Sequence, residues 1–403
     1  MLVFMLPLTV ENAIPCFLLL GTGLLLLEFL WGWTQLPNMR HVTPDDIPDD
    51  TPSWPSISLL IAARNEEATI EAGLTSLLQL DYAPLEIVVV NDRSEDRTAE
   101  VIARMAAKDS RIACVSVDRL PVGWLGKNHA MMLAALKAQG EWLLMTDADV
   151  IFDSTLLKRV VSLIQQKNKS HKTIDHLVLF PSLTSPDSKL RMFLVSFGLF
   201  FNLYARPWWV PFQWMPFAIG VGAFNMVKRS VYMAVEGHQA ISMRPDEDMR
   251  LGHLIKSRGY RQQAALSDGL VSVDWYPNLP ALVEGLMKNA FAGLNYSIPF
   301  AVASVLSMGL FFVWPFAGML LWHGVTGNLY FLTCITLVSL CAVAARWIKL
   351  PAWGAFALPV STVLMIWILT RATIQTLKHQ GIYWRGTFYS LEMLKHGQPE
   401  KLI

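Results

Sequence analysis

The sequence predicts an α/β domain built on a parallel sheet and flanked by apolar helices that insert into a membrane. Of the 403 residues, 53% are hydrophobic and only 16% are charged, a composition typical of membrane insertion rather than of a soluble protein. Apolar runs long enough to cross a bilayer lie near the N terminus and in the C-terminal third. Between them, short β-rich runs alternate with helical stretches, which is the pattern of a parallel sheet.

The charges and cysteines exclude two classes of protein. Lys and Arg number 33 against 32 Asp and Glu, so the chain has no net field that would attract nucleic acid, and we expect no nucleic-acid partner. The four cysteines show neither the spacing of a disulfide framework nor that of a zinc site. We expect all four to be small buried hydrophobic residues.

The first 35 residues are predicted to be an uncleaved transmembrane anchor. The apolar run 13–33 has no basic segment before it and no small-residue cleavage pattern after it. No Lys or Arg precedes this run, whereas Arg40 follows it, so the positive-inside rule places the central domain in the cytoplasm. The next segment, 36–55, is rich in Pro and Asp and is predicted to be a linker.

The C-terminal third is predicted to be a membrane bundle over residues 299–371. Its candidate spans are 299–322, 329–345 and 352–369. An amphipathic connecting segment, 276–298, precedes the bundle, and a basic tail, 372–403, follows it. Three crossings would place the basic tail outside, so one run is a candidate re-entrant segment and the number of crossings stays open.

The central domain, 56–275, contains four strand-like runs. They are SISLLIAA, LEIVVVND, IACVSVD and WLLMTDAD. Ligands of a parallel sheet bind at the carboxyl ends of its strands, so the chemistry is expected where these runs end. A further apolar stretch near 190–220 is predicted to lie at the membrane interface, because a span there would divide the domain; a buried core helix is the alternative.

Polar residues end the first two runs. Ala63, Asn65 and Glu66 lie at the end of the first run, and Asp92 lies at the end of the second. Carboxylates at the ends of adjacent parallel strands can accept hydrogen bonds from the base and ribose of a nucleotide. Acids that open helices are also common as simple helix caps. As a pair after consecutive strands, Glu66 and Asp92 favour the nucleotide interpretation.

The third feature is the triplet Asp147-Ala148-Asp149, which follows the apolar strand WLLM. Two carboxylates one residue apart point to the same side of an extended chain, where a divalent cation could bridge them to a diphosphate. Such triplets also occur by chance or as helix caps. The position after a buried strand favours a cation site.

Two further groups of polar residues are candidates. Lys127, in the run GWLGKNHA, opens a helical stretch and could contact a phosphate or a sugar hydroxyl, although a surface lysine explains it equally well. Asp246, Glu247 and Asp248 precede an amphipathic helix, where acids can simply stabilise the helix start. A carboxylate beside a bound sugar nucleotide could instead act as a general base.

Together, IAARNEE, VVVNDRSED, GK, TDAD and PDED resemble the family 2 glycosyltransferases in order and approximate spacing, over about residues 56–270. The resemblance implies a nucleotide-sugar-binding α/β domain of the GT-A type, which is Rossmann-like. It also implies inverting transfer from a nucleotide diphosphate sugar, with a UDP-sugar as the favoured donor.

The same resemblance implies roles for individual residues. Glu66 and Asp92 would line the nucleotide. Asp149 with Asp147 would hold the diphosphate and Mg²⁺ or Mn²⁺. Asp248 would be the general base, and the neighbouring Glu247 is a second catalytic candidate.

The closer likeness is to membrane enzymes that act on lipids: the hopanoid-associated and carotenoid glycosyltransferases and, more distantly, ceramide glucosyltransferase. VGAFNMVKRSVYMAVEGH, VEGLMKNAFAGLNY and IYWRGTFY carry this likeness. The Gln-x-x-Arg-Trp motif of processive polysaccharide synthases is absent, and this absence disfavours polymer synthesis.

The resemblance therefore implies transfer to a hydroxyl of a membrane lipid by a multi-pass protein of the bacterial inner membrane. Two alternatives are a polyprenyl-phosphate glycosyltransferase and a noncatalytic membrane component that binds a sugar nucleotide. The sequence does not indicate the oligomeric state.

Overall fold

The computed structural model describes residues 10–44, 54–169 and 173–396. Its helices are α1 (Val10–Gln35), α2 (Ile70–Leu78), α3 (Thr98–Lys108), α4 (Gly126–Lys137), α5 (Leu156–Lys169), α6 (Ser188–Ala205), α7 (Arg229–Ala234), α8 (Glu247–Ser257), α9 (Leu279–Ala290), α10 (Ile298–Met308), α11 (Trp314–Leu321), α12 (Gly324–Trp347), α13 (Leu358–His379) and α14 (Leu391–His396). Its strands are β1 (Ile57–Ala63), β2 (Leu85–Asp92), β3 (Ile112–Val117), β4 (Trp142–Thr146), β5 (Ile151–Phe152), β6 (His176–Phe180), β7 (Ser182–Leu183), β8 (Asn225–Lys228), β9 (Gln262–Leu266), β10 (Val271–Val273), β11 (Gly381–Trp384) and β12 (Thr387–Ser390).

The chain divides into two compact units, each built from separate segments. The sheet unit comprises the described residues of 36–184, 205–275 and 386–396. The helical unit comprises those of 10–35, 185–204 and 276–385.

A seven-stranded sheet in the order β3-β2-β1-β4-β8-β6-β9 forms the centre of the sheet unit. The four predicted strand runs became β1 to β4, and these strands pair in parallel as expected. β8 runs antiparallel to both β4 and β6, so the sheet is mixed rather than wholly parallel. An apolar run does not reveal the direction of its strand, which is why the sequence missed this reversal.

Apolar layers cover both faces of the sheet. Because alternate residues of a strand face opposite sides, Leu59 and Val89 belong to one layer, and Leu60 and Val90 belong to the other. Burial on both faces explains the nearly continuous apolar runs. Cys114 is exposed, contrary to the expectation of burial, because β3 is an edge strand.

Part of the predicted linker is built into the sheet unit. Arg159 on α5 donates a hydrogen bond to the carbonyl oxygen of Val42 at 2.6 Å, and Met39 is fully buried. Residues 36–44 are therefore packed structure rather than free linker, whereas 45–53 lie outside the described residues.

The helical unit contains four helices that are long and apolar enough to cross a membrane. They are Glu11–Gln35, Ile298–Leu321, Gly324–Trp347 and Ala352–His379. They match the predicted anchor and the three predicted C-terminal spans. The anchor is not isolated: Thr326 donates a hydrogen bond to Asn12 at 2.8 Å, and Phe29 stacks on Trp347 with ring centroids 5.6 Å apart.

The apolar stretch near 190–220 divides between the two units. Its first part, α6, packs within the helical unit, where Val195 lies against Gly354 and Cys341. The following residues, 206–217, form an aromatic loop that belongs to the sheet unit. An interfacial location for this stretch stays a prediction.

The aromatic loop presents large rings at its surface. The ring centroids of Trp209, Phe212 and Trp214 lie 5.6 to 6.0 Å from one another, and Trp214 is 72% exposed. Rings of this kind are favoured where an apolar phase meets water.

Lys256 on α8 holds the backbone of the aromatic loop through hydrogen bonds. Its buried ammonium group donates hydrogen bonds to the carbonyl oxygens of Val210, Phe212 and Phe217 at 2.8, 3.1 and 2.5 Å. A buried charge needs such partners because it has left water. The loop and α8 are thereby held in one arrangement.

Replacing Lys256 with Met is expected to free the aromatic loop. Three carbonyl oxygens would lose their donor, and the free energy of unfolding should fall by about 2 to 4 kcal/mol. Thermal unfolding and the rate of chymotrypsin cleavage within residues 206–217 would measure both effects. Lys158→Met is the matched control, because Lys158 forms a surface ion pair with Asp81 that is worth about 1 kcal/mol or less. Equal behaviour of the two variants would contradict the assigned role.

Candidate active site

The loops that follow β1 and β2 are joined to each other. Asn65 and Arg93 both have positive φ angles, 55° and 54°, which turn the chain immediately after each strand. The backbone N–H of Asn65 donates to the Ser94 hydroxyl at 3.1 Å, and the Asn65 side-chain oxygen accepts from the N–H of Glu95 at 2.9 Å. Asn65 was predicted to contact a nucleotide, but here its side-chain oxygen joins the two loops.

The other two predicted residues at the end of β1 differ in their accessibility. Ala63 is fully buried in the core, so only its backbone could face a ligand. Glu66 is half-buried; its N–H donates to the Thr98 hydroxyl at 2.8 Å, and its carboxylate accepts from the Thr69 hydroxyl at 3.1 Å. The hydrogen bond from Thr69 holds the Glu66 carboxylate near the start of α2, as is common for an acid that opens a helix. The carboxylate remains a candidate for the site.

Asp92 is buried at the end of β2 and paired with Arg93. The guanidinium group donates to the two carboxylate oxygens of Asp92 at 2.7 and 3.0 Å, and these bonds raise the pKa of Arg93. Helix α4 begins directly against this pair, since a Cβ on Gly126 would lie 2.2 Å from an Asp92 oxygen. Arg93 was not among the predicted site residues, although its position directly after Asp92 was the available signal.

The Asp-Ala-Asp triplet lies in a turn after β4, not in the extended chain that we expected. The carboxylates of Asp147 and Asp149 nevertheless interact. Burial, then the charges of Asp147 and Glu66, raise the pKa of Asp149 to about 6, although Lys127 opposes the effect. Negative charge is therefore concentrated at this turn.

Lys127 connects the triplet to the acidic cluster at the start of α8. Its ammonium group lies 2.6 Å from Asp147 and 2.8 Å from Glu247. Burial alone would lower the pKa of Lys127, but these two carboxylates outweigh it and hold the pKa well above its ordinary value. Lys127 was predicted to contact the donor, and in this structure it is held between two acids.

The three acids at the start of α8 have different surroundings. Asp246 is buried between two guanidinium groups, with Arg244 at 2.9 Å and Arg250 at 2.8 Å. Glu247 is buried and uses its second carboxylate oxygen to accept from the N–H of Asp248 at 2.8 Å. Asp248 alone is partly exposed. The three acids, which could not be distinguished in the sequence, thus differ in their partners and in their exposure.

The carboxylate of Asp248 is held by two backbone N–H groups. Those of Gly222 and Met249 donate to its oxygens at 3.1 and 2.7 Å. This arrangement requires a close approach of two chain segments, because a Cβ on Gly220 would lie 1.8 Å from the carbonyl oxygen of Asp248. Burial, then the charge of Glu247, raise the pKa of Asp248 to about 7, against the opposing charge of Lys127.

Asn128, the residue after Lys127, was also missed. It is fully buried, and its side-chain nitrogen lies 2.9, 3.0 and 3.0 Å from the carbonyl oxygens of Ile241, Ser242 and Arg244. These contacts join the start of α4 to the chain that leads into the acidic cluster. A polar residue beside Lys127 gave no signal of this role, because its partners lie more than 110 residues away.

No group of three or more His, Cys, Asp or Glu side chains that could hold a metal occurs among residues 10–44, 54–169 and 173–396. A magnesium-type site does not need one, since Mg²⁺ is commonly held by one or two carboxylates together with substrate phosphates. The oxygen ligands and excess negative charge around Asp147 and Asp149 are compatible with such a site.

The site can therefore combine proton removal with binding of a charged leaving group. A partly exposed carboxylate of raised pKa lies in a network with Lys127 and Asp147, on a mixed sheet whose strand ends carry further acids. The fold and this arrangement define the GT-A class of glycosyltransferases.

Comparison with known proteins agrees with this class. Residues 58–219 match the sequence profile of Glycosyl transferase family 2. These residues form a family 2 glycosyltransferase domain, and the protein is an enzyme of sugar transfer.

The chain is similar to several characterised proteins. It is 25% identical over 289 residues to the 4,4'-diaponeurosporenoate glycosyltransferase of Staphylococcus haemolyticus, covering 70% of this chain and 74% of that protein. It is 32% identical over 117 residues to the beta-monoglucosyldiacylglycerol synthase of Trichormus variabilis, covering 28% of this chain and only 25% of that protein.

A solved structure shares the fold. The mannosyltransferase PcManGT of Pyrobaculum calidifontis, in complex with GDP-Man and Mn²⁺, superposes with a TM-score of 0.53 at 20% identity. The match covers 92% of this chain and 99% of that protein.

The raised pKa of Asp248 generates a prediction for pH dependence. A general base must be unprotonated, so kcat/KM for sugar transfer should rise as pH increases through about 7. The charged groups that set this midpoint are Glu247, Lys127 and Asp147. A pH profile of wild type and of Asp248→Asn would test it. The acidic limb should vanish in the variant, and a limb that persists would exclude Asp248 as its source.

Proposed function

We propose that the protein is an inverting, metal-dependent glycosyltransferase that moves a sugar from a nucleotide diphosphate sugar to a hydroxyl of a membrane lipid. The observation that carries the proposal is the carboxylate of Asp248, partly exposed and oriented by two N–H groups, in one network with Lys127 and Asp147. The names of the two relatives, which describe a carotenoid and a diacylglycerol lipid, support a lipid acceptor.

The chemistry follows from the placement of these groups. Asp248 accepts the proton of the lipid hydroxyl as its oxygen attacks the anomeric carbon. The attack comes from the face opposite the nucleotide diphosphate, so the configuration at that carbon inverts. Glu247 is a positioning residue, because its carboxylate holds both the N–H of Asp248 and the ammonium group of Lys127.

The donor is proposed to lie along the strand ends with its diphosphate near Asp147 and Asp149. These two carboxylates would hold Mg²⁺ or Mn²⁺, and Glu66 adds negative charge at Asp149. A bound divalent cation would neutralise charge that develops on the departing diphosphate. The complex of PcManGT with GDP-Man and Mn²⁺ supports both a nucleotide-sugar donor and a metal here. A UDP-sugar stays the favoured donor.

The proposed location is the bacterial inner membrane with the sheet unit in the cytoplasm. The described residues that follow α1 and those on either side of the segment 185–204 belong to the sheet unit, as do residues 386–396 after the C-terminal helices. If the whole sheet unit lies on one side of the bilayer, the chain enters and leaves α6 on that same side. For the same reason, an even number of the three C-terminal candidate spans cross the bilayer. This supports an interfacial placement of α6 and one re-entrant segment.

Lipid glycosylation is tested directly by incubating the purified protein with Mn²⁺, labelled nucleotide sugars and a total lipid extract. We expect label from one donor in the organic phase, and a loss of roughly 10²- to 10⁴-fold in Asp248→Asn with donor binding retained. Transfer to a polyprenyl phosphate that survives Asp248→Asn would instead identify the acceptor phosphate as the nucleophile. Donor binding without any label in the organic phase would favour a noncatalytic component.

Asp149→Ala tests the proposed metal site. Removing this carboxylate should abolish the part of donor binding that depends on Mn²⁺, measured by titration calorimetry with and without the metal. Asp153→Ala is the matched control, because Asp153 lies four residues later and its carboxylate, in the contacts described, accepts hydrogen bonds only from Thr155. Metal-dependent binding that survives in Asp149→Ala would remove Asp149 from the site.

A further inference from the structure

The aromatic loop, residues 206–217, lies at the point where the chain passes from the helical unit to the sheet unit. It directly follows α6, which up to Tyr204 belongs to the helical unit with its candidate membrane spans. The loop contains three Trp, two Phe and one Met but neither Asp nor Glu. An apolar helix therefore leads without a spacer into a loop of aromatic rings.

The chemistry of the aromatic loop fits the headgroup layer of a lipid bilayer. Trp rings are favoured at the boundary between hydrocarbon and water, and a nearby cation is attracted to lipid phosphates. The guanidinium carbon of Arg206 lies 5.3 Å from the centre of the Phe217 ring, so the loop combines a cation with its rings. Trp214 is the most exposed ring of the loop and would gain the most from contact with lipid.

The aromatic loop is also joined to α8, the helix whose first turn contains Asp248. Backbone carbonyl oxygens of the loop accept three hydrogen bonds from Lys256, near the end of α8. The side-chain nitrogen of Gln213 donates to the carbonyl oxygen of Tyr260, just after the helix, at 2.9 Å. A movement of the loop relative to the end of α8 would break these bonds.

The chain that continues from the loop packs against the start of the same helix. A Cβ on Gly252 would lie 2.0 Å from the carbonyl oxygen of Ile219, so the two backbones are in direct contact. Further along the chain, the N–H of Gly222 donates to the carboxylate of Asp248 at 3.1 Å. Residues 206–222 thus contact α8 from its last turn to its first.

Helix α8 forms a short, direct connection between the two contacts. Asp248 and Lys256 lie about 12 Å apart along its axis, from the rise per residue of an α-helix. A carboxylate can accept a proton from a hydroxyl only at hydrogen-bond distance. A base that acts on a lipid within the bilayer must therefore be held at the depth of the lipid hydroxyl.

We propose that the aromatic loop docks in the headgroup layer of the bilayer and, through α8, holds Asp248 at the depth where a lipid presents its hydroxyl. Trp214 is the main membrane contact. Lys256 is a positioning residue that transmits the position of the loop to the base. This inference rests on the proposed function, because it concerns how the proposed base meets its acceptor.

The membrane contact is tested without an assay of activity. In full-length protein carrying Cys16→Ser and Cys114→Ser, a nitroxide is attached through Trp214→Cys, and the protein is placed in nanodiscs of phosphatidylcholine and phosphatidylglycerol. EPR then compares collisions with oxygen, which concentrates in lipid, and with a water-soluble nickel chelate. We expect oxygen to dominate at position 214. The control label, attached through Lys108→Cys at the exposed end of α3, should meet mainly the nickel chelate.

Lipid transfer tests whether this contact serves the acceptor. Trp214→Ser should lower the transfer of labelled sugar into the organic phase about 3- to 10-fold, as expected when one aromatic contact is lost, with donor binding unchanged. Leu136→Ser is the matched control, because it removes an exposed large apolar side chain from α4 in the same unit. The control should transfer sugar at the wild-type rate.

Variants of Lys256 test the connection between the loop and the base. Lys256→Met, assayed below its unfolding temperature, should lower transfer at saturating lipid roughly 10-fold or more, because the base is no longer held in place. The label at position 214 should keep its depth in this variant, and donor binding should persist. Lys256→Arg can still donate to the carbonyl oxygens and should restore most of the activity.

A label at position 214 that meets the nickel chelate as readily as the label at position 108 would overturn the inference and leave the proposed function intact. Equal transfer by Trp214→Ser and Leu136→Ser, or full transfer by Lys256→Met, would also overturn it. A wild-type protein whose loop has the expected depth but which labels no lipid would refute the proposed function. The role of the loop toward the acceptor would fall with it, while the membrane contact would stand.

Discussion

The active site depends on one partly buried ammonium group between two carboxylates. Lys127 joins Asp147, at the end of β4, to Glu247, at the start of α8, across distances of 2.6 and 2.8 Å. Glu247 is the buried member of the three, so removing Lys127 would leave its charge without its cationic partner, which is destabilising. The same interaction fixes how far the proposed base lies from the proposed diphosphate site, so stability and catalytic geometry share one contact.

Burial gives different properties to acids that look equivalent in the sequence. Asp246 is fully compensated by Arg244 and Arg250, while Asp149 and Asp248 are only partly compensated and have raised pKa values. Uncompensated acids are costly to a fold and are typical of sites that bind cations or move protons. The two carboxylates that destabilise the fold through their uncompensated charge therefore lie where the chemistry is proposed.

The sequence predicted well those features that depend on local patterns. Strands β1 to β4, the four long apolar helices and the acids at the strand ends follow from periodicity, length and spacing. Features that depend on distant partners could not be predicted from the sequence. They are the reversed direction of β8, the contacts of Asn128 and the packing of residues 36–44. The contact of the Asn65 side-chain oxygen with a loop 30 residues away depends on a distant partner in the same way, while its predicted contact with a nucleotide stays a prediction.

The division of the sheet unit into three chain segments has a consequence for biosynthesis. A ribosome makes residues 36–184 and 205–275 early, but it makes 386–396 only after every apolar helix. The sheet unit therefore cannot be completed while any of the membrane helices is still being synthesised. A chain terminated before residue 386 would contain all the acids of the site and still lack β12 and α14, so the sheet unit matures only after the apolar helices have left the ribosome.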